Sequence, residues 1–205
     1  MISLQFLLTA LVVVIAPGTG VVYTLALGLG RGRRAALAAA TGCTFGIVPH
    51  LAAAALGLAA VLHASALLFS VVKWAGVAYL LWMAWGALRP TGTLAVRPAA
   101  PSGEGLARIA LRGALINVLN PKLSIFFLAL LPPFLSGDPA TATVEMAALG
   151  AVFMAMTWAV FAVYGLFASL FRARLLSSAR AMAWMNRLFA GVFGLLAARL
   201  ATERA

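Results

Sequence analysis

The sequence predicts an all-α integral membrane protein, with six transmembrane helices arranged as two inverted three-helix repeats whose first helices are broken. Three observations lead there. First, the 205 residues are 64% hydrophobic and only 9% charged, with a mean hydropathy of +1.07. Soluble domains average about 45–50% apolar and about 25% charged residues. So few polar groups cannot cover a globular surface, and lipid must cover much of it. Second, six nearly uncharged apolar runs each reach the roughly 20 residues needed to cross a bilayer core of about 30 Å. Third, proline-centred interruptions fall at matching places in the two halves. The composition excludes an ordinary soluble domain, a disordered chain and a disulfide scaffold, and a single Cys43 cannot form an internal disulfide.

The first span runs from Leu4 to Leu29. Nothing basic precedes it and it is longer than a signal-peptide apolar region, so it is expected to remain as a membrane helix. The second runs from Ala35 to Leu62, with Gly42 and Gly46 forming a small-xxx-small pair suited to close helix packing. Cys43 between them reads as a packing residue. The third, Ala66 to Leu88, contains Lys73, which lies about seven residues, or about 10 Å, from the outer end and can snorkel outward. A segment from Arg89 to Arg108, with Pro90, Gly92, Pro98, Pro101 and Gly103, reads as a flexible linker. It separates a first repeat over 1–88 from a second over 109–205. The remaining spans are Ile109 to Leu135, Val144 to Phe171 and Ala183 to Leu200.

The basic residues set an orientation. Arg31, Arg33 and Arg34 lie between spans one and two. Arg89, Arg97, Arg108 and Arg112 lie between or flank spans three and four; Arg172, Arg174, Arg180 and Arg187 do the same for five and six. The loops near His63 to Ser65 and Ser136 to Thr143 carry no Lys or Arg. The positive-inside rule makes the arginine-bearing loops cytoplasmic and both termini external, with Arg199 and Arg204 opposing it mildly. A net charge of +11 is thereby read as a topology signal with lipid head-group contacts, and no nucleic-acid partner is expected.

Three spans per half means that the second half enters the membrane in the opposite direction to the first, so any repeat is inverted. The first span of the first half is interrupted by Ala16-Pro17-Gly18-Thr19-Gly20, and that of the second half by Asn120-Pro121-Lys122. Proline removes a backbone donor and glycine permits non-helical angles. Each break is either an ordinary proline kink or an unwound segment. Matched breaks in inverted halves point to a transporter's midplane binding site.

Asn117 and Asn120 share a helix face, and Lys122 follows the proline. A central lysine costs about 2.5–3.5 kcal/mol on insertion scales. The only acids, Glu104, Asp138, Glu145 and Glu203, stand in loops or at span ends. Lys122 must therefore be met by backbone carbonyls, water or a substrate carboxylate, unless it snorkels to an interface. His50 reads either as a proton carrier or substrate contact, or as a hydrogen-bonded packing residue. The candidate substrate site comprises Pro17, Gly18, Thr19, His50, Asn117, Asn120, Pro121 and Lys122. No metal cluster, phosphate loop or nucleophile constellation is recognisable, so an intramembrane enzyme is not expected.

At these residues the sequence resembles the LysE/RhtB family of amino-acid exporters. The features that carry it are Ala16-Pro17-Gly18; Gly28, Gly32, Gly42, Gly46 and His50; Lys73 with Gly76, Tyr79 and Leu80; and Asn117, Asn120-Pro121-Lys122, Phe126 and Pro133-Phe134. The resemblance implies six helices, the bacterial inner membrane, and efflux of amino acids or close derivatives driven by the proton gradient without a cofactor. Two positions depart from the family pattern. Thr19 stands where a second proline is usual, and Ile47 where many members carry an acid. With no buried acid to meet a second positive charge, a neutral amino acid is the expected substrate. A channel and a non-transporting scaffold are the competing classes, and small-residue faces permit a homodimer.

Overall fold

The computed structural model describes residues 2–16, 18–62, 103–138 and 140–170. It also describes residues 71, 74–75, 77–78, 81–82, 84–85, 99, 184, 187, 190–191, 194–195, 197–198 and 201–202. Pro17, Lys73, Glu203, the loop near His63 to Ser65 and most of the third and sixth expected spans lie outside the described residues. Within them the chain is all-helical, with no strand.

Helix α1 (Leu4–Ile15) starts where the Ser3 hydroxyl accepts the Phe6 N–H at 3.1 Å, which satisfies one of the donors that a helix start leaves free. Helix α2 (Thr19–Arg31) follows after Gly18 and is inclined 56° to α1. It ends at Gly32, whose φ of +83° and ψ of −169° belong to a region essentially restricted to glycine. This sharp reversal lets α3 (Arg33–Phe45) begin at the next residue. Helix α4 (Val48–Leu62) continues from α3 through a tight turn at Gly46-Ile47, where Ile47 N–H bonds Thr44 O at 3.1 Å. Pro49, which has no N–H, prevents the regular bond to the carbonyl of Phe45.

In the second half, α5 (Leu106–Val118) stops before Asn120, and α6 (Pro121–Ile125) restarts at an inclination of 52°. A π-helical turn over Phe126–Leu130 and a 3₁₀ turn over Pro132–Phe134 follow. Helix α7 (Ala142–Leu170) is the longest, at 29 residues. Arg33–Ala55 and Ala142–Leu170 are each long and apolar enough to cross a membrane, and each bent pair, α1 with α2 and α5 with the α6–π segment, supplies one more candidate span. The bends fall at the two places where the sequence predicts breaks.

Lipid tails are as apolar as leucine, so helices in a membrane associate mainly through close van der Waals packing. Gly42 lies directly on the Ala110 backbone and Gly113 on Ala39 O and Cys43, while Gly28, toward the end that bears Arg31, Arg33 and Arg34, lies on Gly165 O. The small-xxx-small reading of Gly42 and Gly46 corresponds to contact with Ala110 and Ala114. The linker is anchored at the arginine-bearing end. Ala99 N–H bonds Ala26 O at 3.0 Å, and the Glu104 carboxylate pairs with Arg112 at 3.0 Å and Arg31 at 3.6 Å. At the opposite end the core is aromatic: Phe6 meets Phe134 edge-on, and Phe126, Phe127 and Phe153 cluster, with Phe126 and Phe153 stacked at 4.3 Å.

Candidate functional site

Asn120-Pro121-Lys122 is a helix start built into the middle of an apolar candidate span. The Asn120 side-chain oxygen accepts the Lys122 N–H at 3.1 Å, the geometry of an N-cap. Pro121 occupies the first helical position, where its missing donor costs nothing. The motif thus ends α5, restarts α6 and aims Lys122 inward, with 7% of its surface exposed.

Lys122 Nζ donates to the carbonyl of Ala16, at the break of the other half. The two interruptions therefore face each other, with the lysine of one held by the backbone of the other. Asn117, 2% exposed, donates through Nδ2 to Cys43 O at 2.7 Å and accepts through Oδ1 from Asn120 Nδ2 at 3.4 Å. Tyr164 on α7 donates to Ile15 O at 2.9 Å, which satisfies a carbonyl at the end of α1. The carboxylates of Glu104, Asp138 and Glu145 are remote from this centre. Glu104 pairs with arginines, and Glu145 accepts from Ser136 and Thr141.

These groups surround a cavity of about 20 Å³ lined by Gly18, Gly20, Asn117, Asn120, Lys122 and Phe153 among others. That volume holds about one water molecule. A second cavity of about 430 Å³ lies toward the end away from the arginines, lined by Gln5, Phe134, Ser136, Glu145 and Leu149 among others. Along α7 the wall passes from the larger cavity at Leu149 to the smaller at Phe153, which is about one helical turn.

Of the residues expected in the site, the structure brings Gly18, Asn117, Asn120 and Lys122 together around the small cavity. Thr19 is exposed at the start of α2, Pro121 is exposed at the start of α6, and Pro17 lies outside the described residues. His50 stands behind Asn117: its Nε2 meets Asn117 O at 2.8 Å and its Nδ1 meets Ser124 Oγ at 2.9 Å. Sequence reasoning did not find Ser124, Tyr164, Phe153, Thr157 or Phe161. Pro49 carried the same proline signal as the two breaks.

Gly20 leaves room for Asn117. A Cβ there would lie 2.6 Å from Asn117 Oδ1 and 3.0 Å from the Phe161 ring. Gly20→Ala is expected to cost about 1–3 kcal/mol, as overpacking does, and to lower the thermal-aggregation midpoint of the detergent-solubilised protein. Gly103→Ala, whose added methyl meets nothing within 4 Å, should leave that midpoint unchanged.

Bent apolar helices that meet around an internal, lysine-lined polar cavity define a polytopic membrane protein, all-helical among the described residues, with a candidate site at its centre. The chain belongs to the LysE type translocator family, whose model matches residues 11–204. It is similar to a homoserine/homoserine lactone efflux protein of Salmonella typhimurium, 28% identical over 199 residues, covering 97% of this chain and 95% of that protein. A leucine efflux protein of Enterobacter sp. is 27% identical over 205 residues, covering 96% and 93%. An uncharacterized membrane protein of Vibrio cholerae is 38% identical over 138 residues, covering 66% of this chain and 65% of its own length. No solved structure matches the chain.

Proposed function

We propose that this protein is a secondary transporter that exports neutral amino acids or close derivatives from the cytoplasm, coupled to the proton gradient across the bacterial inner membrane. The observation that carries the reading is Lys122, held by the Ala16 carbonyl where the two helix breaks meet, and lining a small polar cavity together with Asn117 and Asn120. Lys122 receives the substrate carboxylate, and Asn117, Asn120 and the backbone carbonyls freed at the breaks receive its polar groups and ammonium. The relatives named for homoserine and leucine efflux agree in substrate class, since both amino acids have uncharged side chains.

Transport proceeds by alternating access, the inverted halves 1–88 and 109–205 rocking about the central site. A cavity of about 20 Å³ cannot admit an amino acid until the halves separate. The arginine-bearing loops face the cytoplasm and both termini the periplasm. On that orientation the arginine-bearing end closes the cytoplasmic side. The 430 Å³ cavity, within the size range of small-ligand sites, forms the exit vestibule. Membrane lipid and the substrate are the partners; a homodimer is compatible with the small-residue faces.

The test is flux of labelled homoserine and leucine into inverted membrane vesicles. Saturable uptake that depends on the proton gradient is the expected result. Linear, gradient-independent flux means a channel, and absence of flux for both overturns the exporter reading in favour of a non-transporting membrane protein.

A further inference from the structure

We infer that His50 is the proton-carrying residue of the transport cycle, its Nδ1 atom taking and releasing the coupled proton across the contact between the two halves. The inference rests on the exporter reading and adds the group that couples it.

His50 lies in the first turn of α4, in the first half, yet among the described residues the partners of its two ring nitrogens belong to the second. They straddle the Asn120 break: Asn117 O on α5, 2.8 Å from Nε2, and Ser124 Oγ on α6, 2.9 Å from Nδ1. A carbonyl oxygen only accepts, so Nε2 carries a hydrogen in every protonation state. The neutral ring then presents the Nδ1 lone pair to Ser124, whose hydroxyl donates. When Nδ1 takes a proton, it becomes a donor, and the Ser124 hydroxyl must rotate to accept. A hydroxyl can do either, so protonation is accommodated by one rotation without burying an unsatisfied group. Imidazole is also the side chain whose ordinary titration falls between pH 5 and 8.

Among the described residues, the other ionisable groups on the elements packed against α4 are engaged elsewhere. Lys122 on α6 donates to Ala16 O, and Glu145 in the first turn of α7 accepts from Ser136 and Thr141. Tyr164 on α7 donates to Ile15 O, and the π-helical turn Phe126–Leu130 carries no titratable side chain. No acid of the chain stands at mid-span to do the same work. His50 does not line the small cavity, so it can change charge without occupying the substrate's place. It touches the site only through the backbone of Asn117, whose side chain does line it. One proton enters per substrate leaving: Nδ1 is protonated from the periplasmic side after substrate release and deprotonated toward the cytoplasm once the halves have reversed.

The experiment uses the full-length protein in proteoliposomes, with labelled homoserine as probe, and reads two quantities. Counterflow without a gradient reports substrate binding and reorientation; accumulation driven by an imposed pH gradient reports coupling. His50→Gln is expected to keep counterflow within about threefold of wild type while losing at least tenfold of gradient-driven accumulation and its accompanying proton flux. Ser124→Ala, which leaves the imidazole in place, is expected to retain gradient-driven accumulation with a displaced pH profile. Retention of gradient-driven accumulation by His50→Gln overturns the inference, as does loss of counterflow together with coupling, which marks a structural or substrate-binding role. Wild-type protein without counterflow overturns the exporter reading and this inference with it.

Discussion

Lys122→Met is expected to abolish efflux while leaving the protein in the membrane at wild-type level or above. Truncating one partner of a buried, hydrogen-bonded charged pair costs about 2–5 kcal/mol, so transport of homoserine or leucine should fall at least about 30-fold. Here the partners are the Ala16 carbonyl and, in the proposed transport cycle, the substrate carboxylate. The insertion effect has the opposite sign. Removing a lysine from mid-span relieves about 2.5–3.5 kcal/mol on insertion scales, so a loss of activity cannot be blamed on failed insertion. Lys122→Arg should not rescue, because a guanidinium is bulkier than an ammonium and the cavity holds about 20 Å³. Vesicle uptake, normalised to immunoblotted protein in the membrane fraction, checks all three statements. Normal efflux by Lys122→Met would remove the lysine from the site.

That prediction draws on a part of the molecule which was legible in the sequence. A proline beside a lysine in the middle of an apolar run violates two rules at once, and few structures tolerate both. Asn117 and Asn120 were legible for the same reason, being polar and one helical turn apart. What Lys122 bonds to was not legible. Its acceptor is a backbone carbonyl, and every residue carries one; only the fold that brings Ala16, just past the end of α1, to the start of α6 selects it. The same applies to Asn117, which reaches Cys43 through the backbone at 2.7 Å, so that a residue of no evident chemistry becomes part of the frame.

The linker is another instance. Prolines and glycines from Pro90 to Gly103 read as flexible spacing, whereas Glu104 is held between Arg31 and Arg112. Charge pairing of residues 73 positions apart, as Arg31 and Glu104 are, leaves no local pattern. His50 was legible as an unusual residue but not in its role. The second span reads as continuous, and the turn at Gly46-Ile47 that sets His50 facing α5 and α6 arises from Pro49, a signal of the same kind as the two breaks.

Gly42 should be the least replaceable of the packing residues, and the reason can be tested by asking what rescues it. A Cβ at Gly42 runs into the carbonyl oxygen, carbonyl carbon and Cα of Ala110, all backbone. Gly42→Ala must therefore push α3 off α5, and a cost at the upper end of the overpacking range, about 3 kcal/mol or more, is expected. At Gly150 a Cβ also clashes, at 2.5 Å, but the atoms met are the methyl groups of Leu51, which can turn away. In size-exclusion and thermal-aggregation assays, Gly42→Ala should lower the yield and stability of monodisperse protein far more than Gly150→Ala. Leu51→Ala should restore the Gly150 variant. Ala110→Gly should not restore the Gly42 variant, because it removes a side chain where the obstacle is main chain. The seam also bears on transport. It adjoins the central site, where Cys43 O accepts from Asn117 at 2.7 Å, and the proposed alternating access requires it to part and re-form in each cycle. Gly42→Ala protein that does reach the membrane should therefore lose gradient-driven efflux more completely than counterflow measured from the periplasmic side. Full activity in that variant would show that α3 and α5 need not come into backbone contact for the cycle to run.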